Sequence, residues 1–548
     1  MEFETMNKLE KQALKKSGPD LVRLGFALFF MIAVLTFSFL SNGGIPNNMF
    51  LAVAALIGAY MAMNIGANDV ANNVGPAVGS KAMTLTTAII IAAIFEASGA
   101  LIAGGEVVST IKKGIIDINA FGDNSDPFIW AMMAALLAAA LWLNFATMMR
   151  APVSTTHSIV GGVMGAGIAA AGFSIVDWGT MAKIAASWVI SPVLGGIIAA
   201  GFLFAIKKSI VFKEDKITAA KTYVPIFVAL MSWAFVTYLT LKGLKKIWPD
   251  IVEILNMIPL VAIEVTKKPT FLTALILGLI VAIGVYGFVK TKLMSDNSKL
   301  ENSKDSVNTL FTIPLVFAAA LLSFAHGAND VANAIGPLAA INDAVVNGGI
   351  SSKASIPLWV MGVGAVGIAL GLALYGPALI KTVGSEITEL DQIRAFSIAM
   401  AASITVIIAS QLGLPVSSTH IAIGGVFGVG FLREYLHLND TQVSIEEDEM
   451  SIVDEKKNLD AYKAELKTLE AKKMKTEEEY KRIVDLYKII SDEEKTIKST
   501  KKHIKKSKKV QYVKRDAIKK IITAWVITVP AAATLSAILF FMIKGIVS

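Results

Sequence analysis

Long apolar runs alternate with short polar stretches along most of this chain. Several runs, such as residues 21–40, 128–148, 270–289 and 357–375, are close to the roughly 20 residues that a helix needs to cross the hydrocarbon core of a bilayer. About a dozen such segments occur, and some are interrupted by Gly and Pro. The pattern predicts an all-α polytopic membrane protein with about 12 membrane segments.

One stretch departs from this pattern. Residues 433–520 contain neither Gly nor Pro, and Lys and Glu dominate them. Apolar residues recur there at alternating steps of three and four, the spacing of a coiled coil. They are Leu459, Tyr462, Leu466, Leu469, Tyr480, Ile483, Tyr487, Ile490 and Ile497. The spacing predicts a helical, coiled-coil-like insertion outside the bilayer that forms a solvated hairpin or a dimer contact, with regulation or partner docking as the alternative.

Two polar strings each occur twice. GANDVANNVGP at residues 66–76 returns as GANDVANAIGP at 327–337; we call these the GAND strings. PVSTTHSIVGGVMGAG at 152–167 returns as PVSSTHIAIGGVFGVG at 415–430; we call these the PVS strings. The two intervals are nearly equal, so the chain contains a duplicated unit. A third pair, at 187–211 and 524–547, is further apart because the insertion precedes its second member.

The duplication and the insertion divide the chain into six predicted regions. They are a basic segment with an extra membrane helix (1–49), a first repeat (50–211), linking membrane helices and loops (212–308), the first part of a second repeat (309–432), the insertion (433–517) and the last helix of the second repeat (518–548). Glycines recur in both PVS strings, which predicts close packing of their helices.

Basic residues cluster in segments 8–16, 207–221 and 290–304 and in the insertion. Cytoplasmic loops carry the excess of Lys and Arg in membrane proteins, so the N-terminus and the insertion are predicted to be cytoplasmic. The counterpart of the insertion in the first copy, residues 171–179, is nearly uncharged, which predicts two inverted-topology repeats. Inverted repeats with broken or re-entrant helices are typical of secondary transporters, whose substrate site lies at mid-membrane between the repeats.

Composition narrows the function classes. Of 548 residues, 54% are hydrophobic and 17% are charged, whereas soluble domains are about 25% charged. The chain contains no cysteine, which excludes disulfide and thiol chemistry. The net charge of +8 follows from the cytoplasmic lysines, so no nucleic acid is predicted as a partner. The sequence has no G-x-x-x-x-G-K-[ST] string, which argues against nucleotide-driven pumping.

The GAND strings bring carboxylates into apolar surroundings. An ionised carboxylate inside a membrane is costly unless it is paired or hydrated, so Asp69 and Asp330 are functional-site candidates. Carboxylate, amide and backbone oxygens bind hard cations where a helix is broken, which predicts sodium as the occupant; capping of helix ends is the structural alternative. The predicted sodium ligands are Asp69, Asp330, Asn64, Asn68, Asn72, Asn329 and Asn333.

The paired GAND and PVS strings resemble the inorganic phosphate transporter family, whose members are sodium- or proton-coupled phosphate symporters. Residues 95–118 also resemble the family pattern, and the likeness covers both repeats but not the insertion. A glutamate at the position of Glu96 is linked to transport in the family, so Glu96 is a candidate for a third cation site or a proton-sensitive switch. The resemblance is also compatible with a homodimer.

The PVS strings suit an oxyanion. Proline favours the first turn of a helix, so Pro152 and Pro415 are predicted to begin helices whose free N–H groups attract negative charge. Hydroxyl donors add to these ends, although such hydroxyls also satisfy backbone groups in packed helices. The predicted phosphate-binding residues are Ser154, Thr155, Thr156, Ser417, Ser418, Thr419, Asn68, Asn329, Asp69 and Asp330.

Histidines end both PVS strings. His157 and His420 are candidates for coupling because a histidine can titrate near neutral pH, but packing that orients the helix is the favoured interpretation. His326 precedes the second GAND string and has no counterpart in the first, where Ile65 stands. It is therefore not included in the predicted site.

These observations together predict a symporter of the plasma membrane. It would couple inward sodium movement to the uptake of inorganic phosphate by alternating access, with sodium as co-substrate, no cofactor and no enzymatic activity. A proton-coupled phosphate permease and a permease for sulfate or another oxyanion are the alternatives. A channel, a membrane enzyme and a phosphate receptor fit the duplicated strings less well.

Overall fold

The computed structural model describes residues 2–122, 125–149, 153–245, 247–257, 266, 268–295, 300–348, 356–386, 390–507, 512–513 and 515–547. These residues form α-helices joined by turns and by four short 3-10 or π-helical segments, and no strand occurs within these ranges. The helices are α1 Glu2–Ser41, α2 Asn48–Asn68, α3 Val70–Gly79, α4 Leu85–Ala103, α5 Gly105–Lys113, α6 Asp126–Met148, α7 Thr155–Ala171, α8 Trp178–Ile206, α9 Lys216–Tyr238, α10 Trp248–Leu255, α11 Phe271–Ser295, α12 Lys304–Leu310, α13 Thr312–Val346, α14 Leu358–Glu386, α15 Gln392–Gln411, α16 Ser418–Glu470, α17 Glu477–Ser507 and α18 Arg515–Val547.

The apolar runs form membrane-length helices. Eleven segments of the described residues are long and apolar enough to cross a membrane, against about 12 predicted from the same apolar lengths. The runs at 21–40 and 128–148 correspond to the spans Asp20–Ser41 and Asp126–Met148. The chain is therefore an all-α polytopic membrane protein, as predicted.

The two duplicated units pack through reciprocal contacts. Helix α18, which ends the second copy, lies against the PVS helix α7 of the first, where Gly165 meets the backbone of Ala533. Helix α8 of the first copy meets the start of α16 in the second, and Gly428 there faces the backbone of Gly196. Each contact is the counterpart of the other, which is the mark of a two-fold relation. The inversion of the copies across the membrane stays a prediction.

Glycines at these crossings are expected to be essential for stability. A Cβ added at Gly165 or Gly428 would overlap a backbone carbonyl of the facing helix, whereas a Cβ at Gly201 in α8 would meet nothing within 4 Å. Gly165→Ala and Gly428→Ala should each destabilise the protein by about 1–3 kcal/mol, the usual cost of overpacking. Thermal unfolding in detergent would show this as a lower Tm for both variants but not for Gly201→Ala, and equal Tm values for all three would contradict it.

The GAND strings interrupt their helices less than predicted. Helix α2 ends at Asn68 and α3 begins at Val70, and Asp69 between them keeps near-helical angles of φ −83° and ψ −37°. In the second copy, α13 runs unbroken through the whole string, so the predicted break there is wrong. The Asn and Asp side chains of both strings hydrogen-bond to hydroxyls on other helices, so they take up polar partners without a break in α13.

The interruptions lie instead just before the PVS helices. Helix α7 begins at Thr155 and α16 at Ser418, and both of these residues are buried in the protein. Pro415 lies ahead of α16 rather than in its first turn, contrary to the prediction, because Ser417 Oγ accepts the N–H of His420 at 3.2 Å and caps the helix. Pro152 lies outside the described residues.

Residues Gly430–Lys514 form a compact unit of their own. The later part of α16 and helix α17 make a hairpin, whose turn follows Glu470. Its core residues recur mainly at heptad spacing. They are Ile445, Ile452, Leu459, Leu466, Leu486, Ile490, Ile497 and Ile504, with Tyr462, Leu469 and Ile483 packed against them.

Two tyrosines of the predicted apolar pattern lie on the surface of this hairpin. Tyr480 and Tyr487 are 58% and 54% exposed, so their assignment to the apolar stripe is wrong. The Tyr487 hydroxyl donates to Glu470 at 2.6 Å, which keeps its polar end at the surface. Nearby, the Arg482 guanidinium pairs with Glu465 across the hairpin, and this hydrogen bond lowers the pKa of the Glu465 carboxyl.

Candidate functional site

Polar side chains from both copies meet inside the bundle. They come from the GAND segments of α2, α3 and α13 and from the first turns of α7 and α16. All are buried. The residues gathered here are Asn68, Asp69, Asn72, Thr155, Thr156, Asn329, Asp330, Asn333, Ser418 and Thr419. The structure thus brings together most of the residues predicted for the cation and the oxyanion.

Each aspartate accepts a hydrogen bond from a hydroxyl of its own copy. Thr155 Oγ1 donates to Asp69 Oδ2 at 2.6 Å, and Ser418 Oγ donates to Asp330 Oδ2 at 3.0 Å. Thr155 and Ser418 occupy the same position in the two PVS strings. The GAND and PVS strings therefore form one structural unit in each copy.

Other hydrogen bonds cross from one copy to the other. Asn72 Nδ2 donates to Thr419 Oγ1 at 2.9 Å, and its counterpart Asn333 Nδ2 donates to Thr156 Oγ1 at 3.1 Å. Thr419 Oγ1 in turn donates to Asp69 Oδ1 at 3.2 Å. Because these partners come from opposite copies, the polar centre is complete only where both copies meet.

Two further asparagines tie this centre to neighbouring helices. Asn68 Nδ2 donates to Thr147 Oγ1 of α6 at 3.0 Å, and Asn329 Nδ2 donates to Ser410 Oγ of α15 at 2.9 Å. These contacts position the GAND segments. Asn64, another predicted sodium ligand, donates its Nδ2 to the carbonyl of Tyr60 in its own helix and lines a separate cavity.

The two serines that open the PVS strings cap their helices. Ser154 Oγ accepts the backbone N–H of His157 at 3.1 Å, and Ser417 Oγ accepts that of His420 at 3.2 Å. A capping hydroxyl still has its own proton, which it can donate to a ligand. Capping and a role in anion binding are therefore compatible for both serines.

His326 joins the centre although the repeat pattern gave no reason to include it. Its Nδ1 lies 2.7 Å from Glu96 Oε2, and its Nε2 lies 2.9 Å from Asp330 Oδ2. Glu96 Oε1 accepts a further hydrogen bond from Asn73 Nδ2 at 2.8 Å. Glu96 is thus connected to the second aspartate through one imidazole. A signal existed in the sequence, since His326 precedes Asp330 by four residues and side chains at that spacing share a helix face.

Several buried oxygens in this region lack a donor. Asn72 Oδ1, Asn73 Oδ1 and Asp330 Oδ1 have no hydrogen-bond partner among the described residues. Most buried polar atoms in proteins are satisfied. Ligand atoms of Asp69, His326 and Asp330 lie within 4.8 Å of one another. Two buried carboxylates this close need a cation or a proton to offset their repulsion, and the unpartnered oxygens suit a cation.

The PVS histidines make aromatic contacts. The ring of His157 lies 3.8 Å from that of Trp188, and the ring of His420 stacks on Trp525 at 3.6 Å, with 4.4 Å between the two histidine rings. Trp188 Nε1 also donates to the carbonyl of Pro415 at 3.2 Å. These contacts fit the favoured packing interpretation, while the coupling role of either histidine stays a prediction.

Membrane-length helices in two duplicated units around a shared buried polar centre have the architecture of a transporter. The family described as "Phosphate transporter family" matches residues 65–536. The chain therefore belongs to the phosphate transporter family, and it is a transporter rather than an enzyme.

Individual relatives agree with this assignment. A Helicobacter pylori protein named "Putative phosphate permease" is 48% identical over 544 residues, which cover 98% of each chain. A Thermococcus kodakarensis relative of the same description is 38% identical over 390 residues, covering 71% of this chain and 90% of its own. A solved structure described as "The sodium-dependent phosphate transporter" is 29% identical with a TM-score of 0.68, covering 91% of this chain and 100% of that one.

Proposed function

We propose that this protein is a secondary active symporter that couples inward sodium movement to the uptake of inorganic phosphate by alternating access. The proposal is based on the buried pair Asp69 and Asp330, which lies beside the hydroxyls of both PVS helices. Carboxylates suit a cation and hydroxyls suit an oxyanion, so one centre offers ligands for both substrates.

Sodium fits the acceptor side of this centre. It is a hard cation that favours oxygen ligands, and Asp69, Asp330 and the amide oxygen of Asn72 supply oxygens in a buried setting. The structural relative is described as sodium-dependent, which supports sodium as the co-substrate here. Asn68, Asn329 and Asn333 then act mainly by fixing the positions of these ligands.

Phosphate fits the donor side. The hydroxyls of Thr155 and Ser418 now donate to the aspartates. A sodium ion bound to the carboxylates would take the place of these hydroxyl groups as their partner. Both hydroxyls would then be free to donate to an anion at the starts of α7 and α16, where helix N–H groups also point. Each ligand would then strengthen binding of the other, and thermodynamic linkage makes this effect reciprocal.

The distribution of basic residues supports an orientation of the protein in the membrane. Basic residues in the insertion and the N-terminal segment support a cytoplasmic location for both. The plasma membrane is the compartment in which inward sodium movement can drive phosphate uptake. A homodimer remains a prediction from the family resemblance.

Proton coupling is the second candidate, and one observation favours it. His326 links the carboxyl groups of Glu96 and Asp330, so a proton could be held between two buried acids without any metal. Sulfate is the second candidate substrate, because a centre of hydroxyls and helix ends suits any tetrahedral oxyanion.

Labelled phosphate uptake into proteoliposomes tests the proposal. Accumulation driven by an inward sodium gradient and resistant to excess sulfate is expected. Uptake driven equally by a proton gradient in sodium-free buffer would instead support the proton-coupled alternative. Binding of phosphate without accumulation under either gradient would contradict a symporter and favour a receptor.

A further inference from the structure

A cavity of about 690 Å³ opens beside the polar centre, between helices α1, α2, α6 and α14. Its walls combine apolar side chains with polar and basic ones, and no acidic side chain is among the described residues that line it. The polar and basic members that matter here are Arg23, Tyr60, Asn64, Thr147, Tyr375 and Lys381. A space of this size holds a small anion together with part of its hydration shell.

The inner end of the cavity adjoins the site. Thr147, which lines the cavity, accepts the hydrogen bond from Asn68 Nδ2 at 3.0 Å. The other end of the same amide, Asn68 Oδ1, accepts the backbone N–H of Val153 at 3.2 Å. Asp69 is the next residue of the chain. The Asn68–Thr147 contact therefore stands between the cavity and the centre that holds the aspartates.

Two cationic side chains give the cavity its charge. Arg23 and Lys381 line it from α1 and α14. The guanidinium of Arg23 is 3.3 Å from Asp20, but both side chains of that pair are exposed, and exposed ion pairs are weak. Basic groups at the mouth of a cleft raise the local concentration of anions. The charge and position of this cavity thus match the substrate of the adjoining site.

We propose that this cavity is a vestibule that binds a phosphate group on its way between the site and the cytoplasm. Arg23 and Lys381 hold the group, and the Asn68–Thr147 contact is the barrier that separates it from the site. Arg23 lies at the start of the first membrane span, on the side of the predicted cytoplasmic N-terminus. The inference rests on the proposed function for the direction of transport, while the binding of phosphate here can be measured independently of transport.

Free phosphate and the headgroup of an anionic lipid share the chemistry that this vestibule recognises. Leu24 and Met31, which also line it, offer an apolar wall for an acyl chain. The proximity of the vestibule to Asn68 favours free phosphate, because a lipid headgroup would have no reason to lie next to the GAND segment. Competition between phosphate and anionic phospholipid separates the two sources.

Single cysteines test the vestibule, since the chain has none of its own. Ala378 lines the cavity from α14, and Ala373 on the same helix is exposed but is not among the lining residues. Purified Ala378→Cys protein in sodium-free detergent should react with a water-soluble sulfonate thiol reagent, and Ala373→Cys serves as the control because phosphate in the cavity should leave its labelling rate unchanged. Millimolar inorganic phosphate should slow labelling of Ala378→Cys at least fivefold.

Variants of Arg23 and Lys381 then test whether these two side chains are responsible for the protection of Ala378→Cys by phosphate. Adding Arg23→Gln or Lys381→Gln to Ala378→Cys should remove most of the phosphate protection, whereas Arg23→Lys should retain it, with Tm values matching the parent protein. Unchanged protection in both Gln variants, or equal phosphate protection of Ala373→Cys and Ala378→Cys, would overturn the proposal. Protection by added anionic phospholipid but not by phosphate would also overturn it and assign the cavity to lipid. If the parent protein shows no phosphate uptake in liposomes but phosphate still protects Ala378→Cys from labelling, the symporter proposal would be contradicted and the vestibule proposal would be supported.

Discussion

Replacing either buried aspartate with asparagine should remove most sodium-stimulated phosphate uptake. Asp69→Asn and Asp330→Asn keep the size of the side chain but lose its negative charge, so a cation between the two residues loses half of its neutralising partners. A hydrogen bond or contact to an ionised group contributes about 1.5–3 kcal/mol, which corresponds to a roughly 10- to 150-fold change in affinity. The expected result is a rise of that size in the sodium concentration for half-maximal uptake.

A third buried aspartate, on the same helix as Asp330, provides the matched control. Asp343 lies in α13, is 2% exposed and accepts a hydrogen bond from Asn347 Nδ2 at 2.6 Å. It lies outside both duplicated strings, so Asp343→Asn should keep the sodium dependence of the parent protein. Uptake would be followed at several sodium concentrations in proteoliposomes. Unchanged sodium activation in both Asp69→Asn and Asp330→Asn would refute their role.

Disrupting the histidine bridge should impair transport nearly as much. The two ring nitrogens of His326 lie 2.7 Å from a carboxylate oxygen of Glu96 and 2.9 Å from one of Asp330. Glu96→Gln and His326→Gln should each lower uptake at least tenfold, because the first removes the negative charge that faces His326 and the second removes the imidazole between the two acids, and breaking a buried pair leaves the remaining group uncompensated. Folding of each variant would be checked by its Tm in detergent.

A double-mutant cycle separates this bridge from two independent effects. Residues that act through one shared contact show coupling energies of about 0.5–3 kcal/mol. The phosphate uptake rate of the Glu96→Gln, His326→Gln double variant should therefore be no lower than that of the single variant with the lower rate. Losses that multiply would show that Glu96 and His326 contribute separately, and the bridge would then have no functional meaning.

Much of this architecture could be predicted from the sequence because its determinants are local and repeated. Apolar length alone identified spans such as that ending at Ser41. The duplication of the GAND and PVS strings indicated that Asp69, Asp330 and the PVS hydroxyls share a site, and Thr155 and Ser418 do bond to these aspartates. When a pattern occurs twice in one chain, each copy independently predicts the same type of contact.

Structural features whose residues occur only once in the sequence are not predicted by comparing the two copies. His326 has no counterpart in the first copy, so comparison of the repeats excluded a residue that bridges two acids. The sequence predicts that Pro415 begins a helix, but the capping hydroxyl of Ser417 sets the start instead. Tyr487 matched the apolar spacing, yet its hydroxyl bonds to Glu470 at the surface. Each of these outcomes depends on a partner that is distant in sequence or on a polar atom that spacing ignores.

If one buried centre binds sodium and phosphate together, the affinity for each ligand depends on the other, and equilibrium binding measures this dependence. Phosphate affinity of the purified protein would be measured by calorimetry over a range of sodium concentrations, with choline to keep the ionic strength constant. Joint binding predicts that sodium lowers the Kd for phosphate and that phosphate lowers the Kd for sodium by the same factor, as linkage requires. A phosphate Kd that is identical in sodium and in choline would contradict it.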